Sequence, residues 1–228
     1  MTAASLQGFI GFGFGIVSMS SLTLSYDLVH ASGVVNLTGL LVTVTQLWRL
    51  RAHVLWRPAL RILPGILVGV FLGVTALRFL DRTLMARLLG VTVILVATWN
   101  VVSPAVESRE RPLLDLPVGL VSGMLGGAFN TGGPPLIAHL YRRRASPNAL
   151  KGTLQLLFLG ISGTRAPTAM AQGLMSEAVF RDAALAVPFV LCGLFAGVAL
   201  GQRVDPERFR RISWVALGCL GLALLASA

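Results

Sequence analysis

Apolar residues along the chain fall in runs of about twenty, with neither the strict alternation of a half-buried strand nor the single stripe of a surface helix. Eight such runs can be marked, at roughly 5–26, 33–48, 62–80, 84–103, 116–141, 150–172, 181–202 and 208–226. A helix rises about 1.5 Å per residue and the hydrocarbon core of a bilayer is about 30 Å thick, so runs of this length predict membrane-crossing helices. The pattern therefore predicts an all-α polytopic membrane protein. The fifth run is interrupted at its centre by "GMLGGAFNTGGPPL" (123–136), where five glycines, two prolines, Asn130 and Thr131 stand at membrane depth.

Composition sharpens this picture only in places. The 228 residues are 55% hydrophobic, with mean hydropathy +0.78. The opening "MTAASLQGFIGFGFG" has no basic segment and no small-residue cleavage site, so the first run is expected to stay. The formal charge of +10 comes from arginines clustered between apolar runs, where they meet lipid headgroups rather than nucleic acid. Cys192 and Cys219 both lie in apolar runs and read as small packing residues, with no redox or zinc signal. The longest polar stretches, "WRLRAHVLWRPALR" and "SPAVESRERPLLD", are loops. Neither HExxH nor GxSxG occurs, and "GFGFG" follows no strand, so no enzyme, metal or cofactor signature is expected.

Slid along itself, the sequence matches twice. "GVFLGVTALRFLDRTLMARLLG" (69–90) lies over "GLFAGVALGQRVDPERFRRISW" (193–214), pairing Gly69 with Gly193, Gly73 with Gly197, Asp81 with Asp205 and Arg87 with Arg211. "GFGFGIVSMSS" (11–21) lies over "GMLGGAFNTGG" (123–133), pairing Gly11 with Gly123, Gly15 with Gly127 and Ser18 with Asn130, and further on Asn36 with Asn148. The offsets differ by twelve, which calls for an insertion in the second copy near "GISGTRAPTAMAQ". Two homologous repeats follow, 1–103 and 116–228, joined by a polar linker at 104–115, the habit of secondary transporters.

Positive charges discriminate between topologies. If all eight runs cross, alternate loops hold 7 and 11 positive charges; if the first and fifth runs fold back as broken, re-entrant hairpins, the division is 14 against 4, the stronger positive-inside bias. Each repeat is then a hairpin plus three crossing helices, the second inverted relative to the first. Broken backbone at membrane depth is tolerated only inside protein or beside a polar cavity. At its tip, backbone N–H groups at a half-helix N-terminus favour an anion. The expected anion-binding set is Asn130, Thr131, Gly132, Gly133 and Gly127 on the second tip, and Ser18, Ser20 and Ser21 of "SMSS" as the matching first tip. Thr153, Gln155, Asn36 and Gln46 are further uncharged donors. Arg165 is the one positive charge well inside an apolar run, and either faces the site or snorkels to headgroups. All nine carboxylates fall at run ends or in loops, so no midplane carboxylate is visible for a proton or sodium ion. His139 reads as a hydrogen-bonded interfacial residue.

The stretch "GLVSGMLGGAFNTGGPPLIAHLYRRRASPNALKGTLQ" resembles the second-repeat signature of the TauE/SafE sulfite exporter permeases. The Gly-Val pairs at 73–74 and 197–198 extend the likeness over nearly the whole chain, whereas "GFGFGIVSMSS" departs from the family's glycine-rich turn followed by Pro. The resemblance implies a multi-pass permease of the bacterial inner membrane that exports small sulfur-containing anions such as sulfite or organosulfonates. Its expected partners are that anion and the lipid bilayer, with a homodimer as a candidate assembly. A different class, a non-transporting membrane subunit packed on a partner protein, is the alternative, and 25 glycines offer it close helix contacts. A lipid-acting intramembrane enzyme would need a buried acid–base pair that the sequence does not show.

Overall fold

The computed structural model describes residues 1–77, 111–140 and 145–200, with positions 79, 84, 87, 91 and 143 besides. The runs expected at 84–103 and 208–226, most of the 104–115 linker, and the pairings of Asp81 with Asp205 and Arg87 with Arg211 lie outside these residues. The described chain is helical: α1 (Thr2–Ile10), α2 (Phe14–Leu22), α3 (Leu28–Leu50), α4 (Trp56–Ala76), α5 (Asp115–Phe129), α6 (Gly133–Leu140), α7 (Pro147–Ala171) and α8 (Glu177–Leu200). No strand occurs among the described residues.

The first and fifth runs are each split in two. Gly11 ends α1 and Asn130 ends α5, both in the left-handed conformation, at φ 89° and φ 55°. Glycine and asparagine are the residues that adopt this geometry at least cost. With nine, nine and eight residues, α1, α2 and α6 are each about 12–14 Å long, under half the hydrocarbon thickness. Asp115 at the start of α5 bonds His139 near the end of α6, so this pair of helices returns to the level at which it began. Four stretches are long and apolar enough to cross a membrane, Leu28–His53, Trp56–Ala76, Pro112–Phe129 and Glu177–Leu200. The 25-residue α7 is long enough as well, but the inward-facing Gln155 and Arg165 and the half-buried Lys151 make it less apolar.

Glycines set the packing of both broken segments. Gly65, Gly69 and Gly73 of α4 lie directly against the backbone of α5 at Leu116, Leu120 and Met124, and Gly119, Gly123 and Gly127 lie against α4. Any side chain at these positions would overlap backbone, so the close approach depends on small residues. On the other side of the molecule, Gly193 and Gly197 of α8 lie against Met1 and Ser5 of α1, and Gly8 lies against Leu194. Thus α4 docks the second broken segment and α8 docks the first. Between them α3 and α7 cross in opposite directions, with Leu50 beside Gly152 and Ser32 beside Arg165.

Helix boundaries revise the expected register between the two halves. Asp27 caps α3 by accepting from Val29 and His30 N–H at 3.0 Å, and Ser146 caps α7 by accepting from Ala149 N–H. These caps are 119 residues apart, as are the helix ends at Ile10 and Phe129, the left-handed residues Gly11 and Asn130, and the helix starts at Phe14 and Gly133. The offset of 112 is therefore replaced by 119 for the hairpins and for α3 and α7. Gly69 and Gly193 remain 124 apart, so the length difference is five residues, not twelve. At a spacing of 119, Asn36 falls at the position of Gln155 and not Asn148, and Gln46 at that of Arg165.

Candidate functional site

The break in the first run is "GFG" at 11–13, one turn or more ahead of "SMSS", so the serines are not the first tip. Ser18 and Ser20 are buried along α2 and Ser21 is exposed; Ser18 and Ser21 line a different cavity, described below. The two actual tips touch: a side chain on Gly15 would overlap the carbonyl oxygen of Asn130. Between them lies a cavity of about 60 Å³, several times the ~10–15 Å³ that one water requires. Gln7, Gly13, Phe14, Asn130, Gly132 and Gly133 are among its lining residues. It therefore sits at the N-termini of both α2 and α6, where helix dipoles place positive potential.

Most of the predicted polar donors support these tips instead of lining the cavity. Gln46 Nε2 donates to the Gln7 carbonyl at 2.7 Å, and Gln155 Nε2 donates to the Gly11 carbonyl at 2.6 Å. Gly11 O lies at the break and takes the Gln155 amide as its donor, whereas Gln7 O also accepts from Gly11 N–H at 2.8 Å, so Gln46 adds a second bond there. Lys151, grouped by sequence with the loop charges, lies in α7 and donates from Nζ to the Phe9 carbonyl at 2.9 Å. Thr153 bridges Ala149 O and Leu55 N–H at 2.7 and 2.9 Å, fixing the start of α4 and not a ligand. Gln7 is the polar residue that sequence reasoning missed. Its Oε1 accepts from Phe14 N–H at 3.1 Å and its Nε2 donates to Gln155 Oε1 at 3.2 Å. The available signal was a lone amide within the first apolar run, a turn ahead of the glycines.

The second tip is built around charge. Arg165 is 1% exposed, so it does not snorkel. Its Nε donates to the Gly127 carbonyl at 2.8 Å and its Nη2 to Ser32 Oγ at 2.7 Å, while Asn130 Nδ2 donates to the Ser32 carbonyl at 2.9 Å. Asn36 Nδ2 reaches the Ser162 carbonyl at 3.4 Å. Ser32, absent from the sequence-based set, thus joins Arg165 to Asn130. Arg165 Nη1 and Asn36 Oδ1 are buried without a hydrogen-bond partner, and among the described residues no carboxylate pairs with Arg165. Arg165 does not itself line the cavity, but Ser162, one turn before it, does. Thr131 is buried, with only a long 3.5 Å contact to the Leu125 carbonyl.

At the base of the same hairpin, Asp115 Oδ1 accepts from His139 Nε2 at 2.6 Å and from Arg143 Nη2 at 2.8 Å, with all three side chains at least nine-tenths buried. Asp115 does stand at a run end, yet it is a structural partner inside the protein and not a loop carboxylate. Among the described residues no cluster of three His, Cys, Asp or Glu could hold a metal ion.

Membrane-length helices enclosing two broken segments, whose half-helix N-termini share one cavity, are the build of a membrane transporter for small anions. The chain belongs to the sulfite exporter TauE/SafE family, whose model matches residues 1–224. It is similar to the probable sulfite/organosulfonate exporter TauE of Cupriavidus necator, 30% identical over 97% of this chain and 89% of that protein. It is also similar to the probable inner membrane transporter protein TsaS of Comamonas testosteroni, 28% identical over 75% of this chain and 73% of that protein. No solved structure matches.

Proposed function

We propose that the chain exports a small sulfur-containing anion, sulfite or an organosulfonate, across the bacterial inner membrane, holding it in the cavity between the two broken-helix tips. The observation that carries this reading is the meeting of the α2 and α6 N-termini at one cavity, backed by a buried arginine that pairs with no carboxylate among the described residues. An uncompensated intramembrane arginine costs at least about 2.5 kcal/mol, which a bound anion offsets. In a low-dielectric interior its field acts over the turn of helix that separates it from the cavity.

Residues 1–103 and 116–228 act as two inverted repeats joined by 104–115. The shared helix boundaries and the opposed directions of α3 and α7, which correspond in sequence register, support this. Arg49, Arg51, Arg57 and Arg143 mark the cytoplasmic end, and Asp27, Glu177 and Asp182 the opposite one. Asn130, Gly132, Gly133 and Gln7 form the anion site, with Arg165 and Ser32 behind it. Gln46, Gln155, Thr153 and Lys151 hold the tips in place.

Thermal unfolding of the detergent-purified protein with sulfite, thiosulfate, sulfoacetate, taurine, sulfate and matched carboxylates tests the reading, because a ligand of the native state raises the apparent Tm by mass action. A shift selective for a sulfur anion and lost in Arg165→Met is expected. A cooperative transition that no sulfur anion moves would overturn it.

A further inference from the structure

A second cavity, about 290 Å³ in volume, lies among α1, α2, α3 and α8. It shares two lining residues with the tip cavity, Phe14 and Val35. Both are buried, at 5% and 2% exposure, and they stand between the tip cavity and an outer one rimmed by the exposed Met1, Ser21 and Tyr26. The Phe14 ring is seated against Gly39, where an added Cβ would lie 3.4 Å from two ring carbons. Its backbone N–H is held by Gln7, so the backbone is fixed while the side chain forms the wall. At the rim, His30 Nε2 and Asp182 Oδ2 join α3 to α8 at 3.0 Å, and Tyr26 stacks on the His30 ring.

From this arrangement, and resting on the transport function proposed above, we infer that the outer cavity is the exit chamber for the anion and that Phe14 and Val35 form the partition it must pass. None of the chamber's described lining residues is Arg or Lys. Ser18, Ser21 and Thr38 offer hydroxyls amid Val17, Val34 and Val190, so the chamber hydrates an anion without retaining it. Passage requires such weak binding beyond a tighter site. The chamber opens at the end bearing Asp27, Glu177 and Asp182, which the charge distribution places outside the cell. This gives Ser18 and Ser21 a role in transit instead of in binding.

The test is sulfite flux in proteoliposomes of the full chain, measured beside the sulfite-induced thermal shift. Ser18→Trp narrows the chamber beyond the partition and is expected to cut flux at least tenfold while the shift persists. Ser21→Cys, folded first and then modified from the outer side with a bulky membrane-impermeant thiol reagent, is expected to do the same without any folding defect. Wild-type protein treated identically controls for Cys192 and Cys219. Phe14→Ala is expected to raise flux severalfold by opening the partition. Wild-type flux in both plugged proteins would overturn the exit chamber while leaving the anion site standing. A wild-type protein showing neither flux nor shift would overturn the proposed function and this inference together.

Discussion

The two broken segments reach the same backbone shape by different chemistry. In the first, "GFG" turns the chain with glycine alone, and the Gln46 and Gln155 amides and the half-buried Lys151 ammonium donate to the carbonyls of Gln7, Gly11 and Phe9. In the second, Asn130 makes the turn, Arg165 donates to the Gly127 carbonyl, and a buried Asp115–His139–Arg143 group ties the two legs together. A neutral amide and a guanidinium can each donate to a carbonyl, but only the guanidinium brings a charge. Both pairs meet a cation, but the half-buried Lys151 of the first is spent on the Phe9 carbonyl, whereas the fully buried Arg165 of the second keeps Nη1 without a partner.

The legs of the second pair offer the strongest way to break the comparison. Asp115→Leu removes the shared acceptor of His139 and Arg143, and disrupting a buried ionic group of this kind costs roughly 3–5 kcal/mol. For a chain of this size that corresponds to a drop in Tm on the order of 10 °C. Asp115→Leu combined with His139→Leu and Arg143→Met is expected to recover most of it, since apolar replacement of a whole buried group is often neutral. A single substitution that leaves the Tm unchanged in detergent would show that the legs are held by helix packing alone.

Arg165 and Gln46 provide the next contrast, in affinity rather than stability. Arg165→Met is expected to weaken sulfite binding about 10- to 100-fold, the value of a unit charge roughly a helical turn away at an effective dielectric constant of about 20. Its Tm without anion is expected to stay level or rise, because a buried charge is removed. Gln46→Leu is expected to do the reverse, lowering stability by about 0.5–1.5 kcal/mol through the loss of one buried hydrogen bond while changing affinity less than about twofold by the same reasoning. Titrated thermal shifts on both variants measure the two effects together. Equal losses of affinity would mean that charge plays no part in distinguishing the tips.

Much of this architecture was legible in the sequence because lipid imposes lengths and forbids bare backbone. The helical class and the interruption at 130–133 followed from those two constraints, whereas they left open whether Arg165 faces inward or snorkels. Internal register was not legible. The self-match slipped by seven residues, two helical turns, which leaves glycines on the same helix face and so satisfies the same packing pattern. That slip moved the first tip from "GFG" to "SMSS" and paired Asn36 with Asn148. Polar residues in apolar runs also have the carbonyls of a broken segment as partners, and Gln46 and Gln155 bond such carbonyls. A run-end position likewise says nothing of burial, and Asp115 is buried there by His139 and Arg143.

The smallest effect lies at the turn itself and separates shape from side-chain chemistry. Asn130→Gly relieves a left-handed φ of 55° that glycine adopts freely, but forfeits the 2.9 Å bond to the Ser32 carbonyl. The gain and the loss are each about 1 kcal/mol, so the net change in stability is expected to stay within about 1 kcal/mol. Gly11 already makes the corresponding turn in the first segment without a side chain, so the backbone path is expected to survive. Binding then decides what Asn130 contributes. Because its amide is spent on Ser32, Asn130→Gly is expected to lower sulfite affinity only a few-fold, as Ser32 and Arg165 lose a neighbour. A loss as large as that of Arg165→Met would instead mean that the Asn130 amide leaves Ser32 to meet the anion, making the second tip a moving part and the first a fixed one.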